Sequence, residues 1–457
     1  MHSTCTQYVR SSQDRLLDEL KEFLRIPSIS TLPEHQPDIA RAARFVADQL
    51  QGAGMENVEV IPTAGHPLVY GDWLHAPGKP TVICYGHYDV QPADPLELWE
   101  SPPFEPEVRN GNIYARGAAD DKGQFYSHIK AVEALRASGG GRLPVNVRFL
   151  IEGEEEVGGE SIRGYVAANP GKLKADVALV SDSALYADGL PTLCTALRGL
   201  IYMELEATGP MRDLHSGLYG GAAPNPVFGL VEFLAKCKDE RGHIRIPAIY
   251  DDVRPPSPEE LASWRSLPFS EAEFLAAEVG SSSLTGEPEY SVLERIWARP
   301  TFEVHGIAGG FTGAGQKTVI PAKATAKLSF RAVAAQDPDK LIAAFRRFAQ
   351  ENTPRGIRFD VRVLSSSPAV MVDVRHPAID TAARVFSEVL GKPTVFIRDG
   401  ASIPVVGDFA EFLHIPTVLM GFGLPDDGLH SPNEKYRVEN YFLGIVSVAR
   451  FFEEYGR

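Results

Sequence analysis

The chain is predicted to fold as an α/β protein, a mainly parallel-sheet domain interrupted by a ferredoxin-like α+β module. Short apolar runs that read as buried strands alternate with helix-periodic segments up to about Leu197. The middle of the chain changes to a β-α-β-β-α-β order, that of a ferredoxin-like unit. From His376-Pro377 the βα pattern resumes, so the module is an insertion. The expected boundaries are residues 1–198 and 373–457 for the discontinuous domain and 199–372 for the insertion.

Leu16, Leu17, Leu20, Phe23 and Leu24 recur at helical spacing and stop before Pro27, giving an amphipathic opening helix. Ile39, Ala42, Ala43, Val46 and Leu50 repeat the pattern up to Gly52. Thr81-Val82-Ile83-Cys84-Tyr85, led by Gly78 and Pro80, reads as a buried strand that gives out at His87. Residues 145–151 are β-branched, alternating and bounded by Pro144 and Gly153, and they run out into Glu154-Glu155-Glu156. Residues 175–180 end at Ser181-Asp182, and residues 416–423 precede the loop carrying His430. In the insertion, strands are expected at 200–207, 301–306, 318–333 and 357–364, with helices opened by Asn225-Pro226 and spanning 338–350. Residues 246–299, rich in Pro, Ser and acidic groups, are too long for a plain loop and should hold helices near 258–265 and 271–278.

A chain of 457 residues exceeds one ordinary core, which favours two domains. Its 23% charged and 44% hydrophobic residues are those of a globular protein. A formal net charge of -15 supplies no basic surplus for nucleic acid or anionic lipid. No run approaches the roughly 18 apolar residues of a spanning helix, and residues 1–7 have no apolar leader core, so a cytoplasmic protein without a membrane partner is expected. Cys5, Cys84, Cys194 and Cys237 lack the spacings of zinc or redox sites and read as reduced and structural.

The chemistry lies where the strands stop. His87, Asp120, Glu156, Asp182 and His430 are metal-type side chains at or beyond the ends of apolar runs, and Glu155 stands beside one of them. Ligands in α/β sheets collect at the carboxyl ends of strands, so these segments converge on one edge. Asp89, two residues after His87, suits the imidazole's second nitrogen and would fix its tautomer. Asp120 sits in a Gly-bounded turn, and its two oxygens could bridge two cations. Three adjacent glutamates beyond a buried strand need a compensating cation. Glu156 can then ligate while Glu155 takes the proton from a metal-bound water, the pairing a hydrolase needs. Carboxylate and imidazole ligands without thiolates suit zinc, manganese or cobalt. No GxSxG elbow is present, and Cys84 lies inside a buried run, which leaves Ser and Cys nucleophiles without support.

These motifs resemble the dinuclear metallopeptidase family that includes carboxypeptidase G, acetylornithine deacetylase, succinyl-diaminopimelate desuccinylase and the cytosolic non-specific dipeptidases. The matching segments are Gly86-His87-Tyr88-Asp89-Val90, Gly117-Ala118-Ala119-Asp120-Asp121-Lys122-Gly123, Glu155-Glu156-Val157-Gly158, Ser181-Asp182-Ser183 and His430-Ser431. The resemblance implies two divalent ions per subunit, zinc or manganese, bridged by Asp120, with a cis peptide between Asp120 and Asp121. His87 and Asp182 would complete one metal, Glu156 and His430 the other, and Glu155 would be the general base. The insertion looks like this family's lid and dimerisation domain, with details of the dipeptidase branch. Residues 213–221 match the segment whose histidine, His215, reaches into the neighbouring subunit's site, which implies a homodimer. Thr318, Arg331 and Ser402 match substrate-holding positions, Arg331 being suited to a terminal carboxylate. Gly159 departs from relatives, which often have Ser there.

The expected activity is hydrolysis of short peptides with a free carboxyl terminus, through metal-bound hydroxide and the Glu155 base, with His215 and the metals stabilising the oxyanion. An N-acyl amino acid deacylase using the same centre is the alternative enzyme. A non-catalytic dimeric binding protein on this fold would lack a base or ligand, and all six positions are filled.

Overall fold

The computed structural model describes residues 4–457, so the first three residues of the stretch read for a leader lie outside the described residues. The chain divides into two compact units, Met1–Thr195 with Val372–Ile397 and Ile403–Arg457, and Ala196–Met371 with Arg398–Ser402.

The first unit carries most of a sheet of order Glu56–Ile61, Leu68–Trp73, Asn146–Glu152, Thr81–His87, Val177–Val180, Thr417–Leu419, Thr192–Leu197 and Val370–Met371. Val395–Asp399 also pairs with Thr192–Leu197, through which the chain leaves this unit. The four central strands, from Asn146–Glu152 to Thr417–Leu419, run parallel. The flanking pairs are antiparallel, which makes the sheet mixed. The parallel centre is the part that announces itself in sequence, because strands covered on both faces read as unbroken apolar runs. Glu56–Ile61, largely exposed at the edge, has no such run.

Helices cover the sheet. Gln13–Leu24 and Gln36–Gly52 close on the apolar positions read from sequence, and Phe23 stacks on Phe45 at 4.9 Å. Lys122–Ser138 is buried almost all round, which is why it has no clear polar face. Its start is closely packed at two glycines, one on the sheet and one in the helix itself. A Cβ on Gly86 would lie 2.2 Å from Phe125 Cβ, and one on Gly123 would lie 2.0 Å from the Ala118 carbonyl oxygen. Among the described residues no helix is long and apolar enough to cross a membrane, and the four cysteines are buried.

The second unit is a four-stranded antiparallel sheet of order Thr301–Gly309, Lys323–Ala332, Gly199–Thr208, Arg358–Ser367. With helices Pro226–Cys237 and Pro338–Glu351 this is the ferredoxin-like arrangement. Gly199–Thr208 alternates strictly, and Ile201, Met203, Leu205 and Ala207 meet Phe233, Phe330 and Phe345 in one core. The strand expected over 318–333 is split. Val319–Ile320 pairs with Leu214–His215, Pro321 interrupts the ladder, and Lys323–Ala332 resumes it with Gly199–Thr208.

In the long segment, Pro258–Arg265 is helical, and Glu271–Glu273 continues as a π turn, Phe274–Val279. A third helix, Val292–Trp297, was not anticipated; it carries a capping box, and Trp297 meets Trp264 edge-on at 5.2 Å. The Tyr250 region anchors the start of this segment. The Tyr250 hydroxyl accepts from the Ile244 N–H, the Arg299 guanidinium lies over its ring, and Gln336 donates to the Ile249 carbonyl.

Candidate metal centre

The four parallel strands deliver the site. His87 is the last residue of Thr81–His87 and pairs in register with Glu152, the last of Asn146–Glu152. Glu155 and Glu156 occupy the helical turn just beyond Glu152, and Asp182 lies two residues past the end of Val177–Val180. His430 comes from the loop after Thr417–Leu419, and Asp120 from the turn that opens helix Lys122–Ser138. The Asp120-Asp121 peptide is cis.

Two groups of three result. The ligand atoms of His87, Asp120 and Asp182 lie within 4.8 Å of one another, and so do those of Asp120, Glu156 and His430. Asp120 belongs to both, and each of its oxygens faces a different imidazole. Oδ1 is 3.1 Å from His87 Nε2, and Oδ2 is 3.0 Å from His430 Nε2. His87 Nε2 is also 3.9 Å from Asp182 Oδ2, and His430 Nε2 is 3.3 Å from Glu156 Oε2. The other His87 nitrogen, Nδ1, lies 3.1 Å from the Asp89 carbonyl oxygen and 3.4 Å from its carboxylate. The peptide oxygen is therefore the nearer partner, and the Asp89 carboxylate accepts from the Glu156 N–H at 3.2 Å.

The electrostatics are those of a site with too many carboxylates. Burial, followed by the charges of Asp182, Glu156 and Asp120, raises Glu155 well above the usual carboxylate range, with His87 opposing. Burial and the Asp120 charge push Asp182 up to about 7. For His87 burial acts downward, but its hydrogen bonds to the carboxylates of Asp120 and Asp89 outweigh it and the imidazole is raised well above its usual value. Hydrogen bonds to Asp120 and Glu156 push His430 up to about 10. Glu155 and Asp182 are thus held towards the protonated form, while the two imidazoles are drawn positive and, against burial, their hydrogen bonds hold Asp120 below the usual carboxylate range. Oxygen and imidazole donors with no thiolate among them fit divalent metal ions.

Glu154, the first of the three glutamates, faces elsewhere, accepting from the N–H groups of His66 and Ser161. Sequence reasoning missed three supports. Gln91 donates to Glu156 Oε2 at 2.8 Å. Asp121, fully buried, accepts from the His87 N–H. Glu434, also fully buried, accepts from Arg116 and from the backbone of the Asp120 turn. Glu434 lies four residues after His430, and that spacing to a proposed ligand was the available signal.

The remaining predicted residues belong to the second unit and form two pairs. His215 and Thr318 are exposed neighbours: His215 pairs with Val319, and the Ser216 N–H donates to the Thr318 carbonyl. Arg331 Nη1 donates to Ser402 Oγ at 2.9 Å, and Ser402 Oγ donates in turn to the Arg198 carbonyl. Arg198 donates from Nε to the Gly400 carbonyl.

The model of peptidase family M20/M25/M40 matches residues 83–454. The Cys-Gly metallodipeptidase DUG1 of Candida albicans is 32% identical, with 98% of this chain and 96% of that protein covered. The Beta-Ala-His dipeptidase of Homo sapiens is 33% identical over 98% of this chain and 91% of its own. Among solved structures, the M20 family metallo-carboxypeptidase Sso-CP2 from Sulfolobus solfataricus superimposes with a TM-score of 0.88 at 31% identity, covering 96% of this chain and 99% of that one. The similarity thus extends along nearly the whole chain, and the protein belongs to peptidase family M20/M25/M40, in its dipeptidase branch.

Proposed function

We propose that the chain is a two-metal dipeptidase that hydrolyses the amide bond of short peptides with a free carboxyl terminus. The observation that carries this reading is Asp120, a single carboxylate whose two oxygens each serve a different group of ligands. His87 and Asp182 with Asp120 would hold one divalent ion, zinc or manganese, and Glu156 and His430 with Asp120 the other. Bound there, the ions supply an acidified water and a polarised scissile carbonyl. Asp89 keeps the His87 ring in place so that Nε2 faces the site.

Glu155 is the general base. Burial and its acidic neighbours raise its affinity for a proton, as a base that must take one from water requires. It accepts the proton of the attacking water and returns it to the leaving amine. Arg331 pairs with the substrate's terminal carboxylate, and Thr318 and Ser402 contribute to holding the substrate. His215, exposed on its own unit, is free to serve the oxyanion in the site of a second copy, so the working form is a cytoplasmic homodimer.

The test is a panel of free dipeptides, their N-acylated counterparts and a tripeptide, offered to metal-stripped protein before and after zinc or manganese, with Glu155→Gln as control. Metal-dependent cleavage of free dipeptides, lost in the variant, is the expected outcome. Preferential cleavage of acylated substrates would make the enzyme an N-acyl amino acid deacylase. The name of the carboxypeptidase relative favours keeping the tripeptide, since efficient release of its last residue would widen the substrate range.

A further inference from the structure

We propose that Glu434 is a positioning residue that ties the His430 loop to the Asp120 turn and thereby sets the spacing between the two groups of metal ligands. The inference rests on the two-metal reading above and concerns how the centre is held, not which residues ligate.

Every acceptor of this side chain is used on one target. Glu434 Oε2 accepts from Arg116 Nη1 at 2.7 Å and from the Gly117 N–H at 3.0 Å. Oε1 accepts from the N–H groups of Ala119 at 2.9 Å and Asp120 at 3.2 Å. The Glu434 carbonyl takes the Ala115 N–H at 3.1 Å. One residue thus holds the backbone from Ala115 to Asp120, including the amide of the shared ligand itself. Four residues earlier the same loop presents His430, in a left-handed backbone conformation with φ 58°. Arg116 extends the tie by donating to the Pro92 carbonyl, next to Gln91, which holds Glu156.

The argument for a positioning role is one of economy. A fully buried ion pair is a poor device for stability alone, since apolar side chains of similar size usually serve as well. It is a good device for fixing geometry, because a carboxylate offered four donors has one orientation that satisfies them all. Asp120 and His430 are 310 positions apart in the chain, and the short ladder of Lys435–Arg437 on Asn112–Tyr114 brings their segments together but stops short of both ligands. Their 3.0 Å approach depends on whatever holds the loop to the turn.

The experiment uses the full chain, with zinc titrated against a chromophoric chelator and with cobalt(II) as a spectroscopic replacement. Glu434→Gln puts an N–H2 group where acceptors are needed. The expected result is a loss of about 10–100-fold in affinity for one of the two metal equivalents and a changed cobalt visible spectrum. In a His430→Ala background the same substitution should add little, because the residue acts through the ligand already removed. Glu434→Asp, which keeps the charge but not the reach, is read in the same way if the Gln variant does not fold. Unchanged affinity and spectrum, an equal loss in both backgrounds, or failure of both variants to fold would overturn the inference. Wild-type protein that binds fewer than two metals would instead overturn the two-metal reading, and this inference with it.

Discussion

The two groups of ligands share Asp120 but are built in opposite ways. His87 is wholly buried, the terminal residue of a central strand, and Asp182 follows the end of the strand beside it. His430 has a side chain 55% exposed and sits in a loop at positive φ, ahead of the short strand Lys435–Arg437 that pairs with Asn112–Tyr114. The first group takes its geometry from the sheet, and any sequence that forms the sheet places these side chains. The second must be fastened by side chains, among them Glu434 on the Asp120 turn, Gln91 on Glu156 and Asn433 on residues 98 and 100. Within one centre, a ligand can be rigid because the fold leaves it no alternative, or because neighbours hold it.

Glu155 belongs to neither group, so its removal should separate chemistry from assembly. Glu155→Gln is expected to lower kcat by about 10²–10⁴-fold while both metals remain bound at wild-type stoichiometry. A variant that also loses a metal would place Glu155 among the ligands and blur the division between the two halves.

The sharper comparison pairs His87→Ala with His430→Ala in metal-free protein. Removing His87 empties a buried position and strips Asp120 of a partner, and should lower unfolding free energy by about 2–4 kcal/mol in urea. Removing the half-exposed His430 also takes a partner from Asp120 but empties no buried position, and should cost about 1 kcal/mol. Each variant should still lose one metal equivalent. Equal stability losses would break the distinction between a fold-placed and a fastened ligand.

The wall behind Asp182 adds a pH signature to the buried half. His128 is fully buried, its Nε2 lies 2.7 Å from Ser181 Oγ, and burial pulls its pKa down from 6.5 to about 3. The folded protein therefore keeps this ring neutral where the unfolded chain takes up a proton, so stability is lost as pH falls from 6.5 towards 3. At pH 5 the loss attributable to this group is about 2 kcal/mol. His128→Gln should remove that component, so the difference between wild type and variant in urea melts should shift by about this amount between pH 7.5 and 5. Parallel pH profiles would show that the ring is not held neutral.

What could be read from sequence follows the same division. The strand ends at His87 and Asp182 were legible because buried parallel strands advertise themselves as apolar runs, and the residue that ends a run is visible in the chain. His430 was placed by its motif, since its loop has no periodicity to read. Glu434 looked like one more acid in a polar loop, and nothing short of the folded turn reveals that its donors come from residues 116–120. The split at Pro321 and the helix Val292–Trp297 were likewise hidden, the first because Val319–Ile320 takes a different partner, the second because six residues are too few to show a helical period.

The weakest fastening should give the smallest effect. Asn433 has φ 62°, and its side chain accepts from the Glu100 N–H and donates to the Leu98 carbonyl, both at 2.8 Å. Alanine would remove these bonds and also strain the backbone, whereas glycine accepts the positive φ and removes the bonds alone. Two partly exposed hydrogen bonds contribute about 1 kcal/mol together, so Asn433→Gly should weaken one metal equivalent by about threefold to tenfold and leave the other unchanged. Metal-free stability should barely move, since the loop is a surface element whose opening does not expose the core. A uniform weakening of both equivalents would mean that the loop influences the sheet-borne ligands as well, and that the two halves of the centre are held as one.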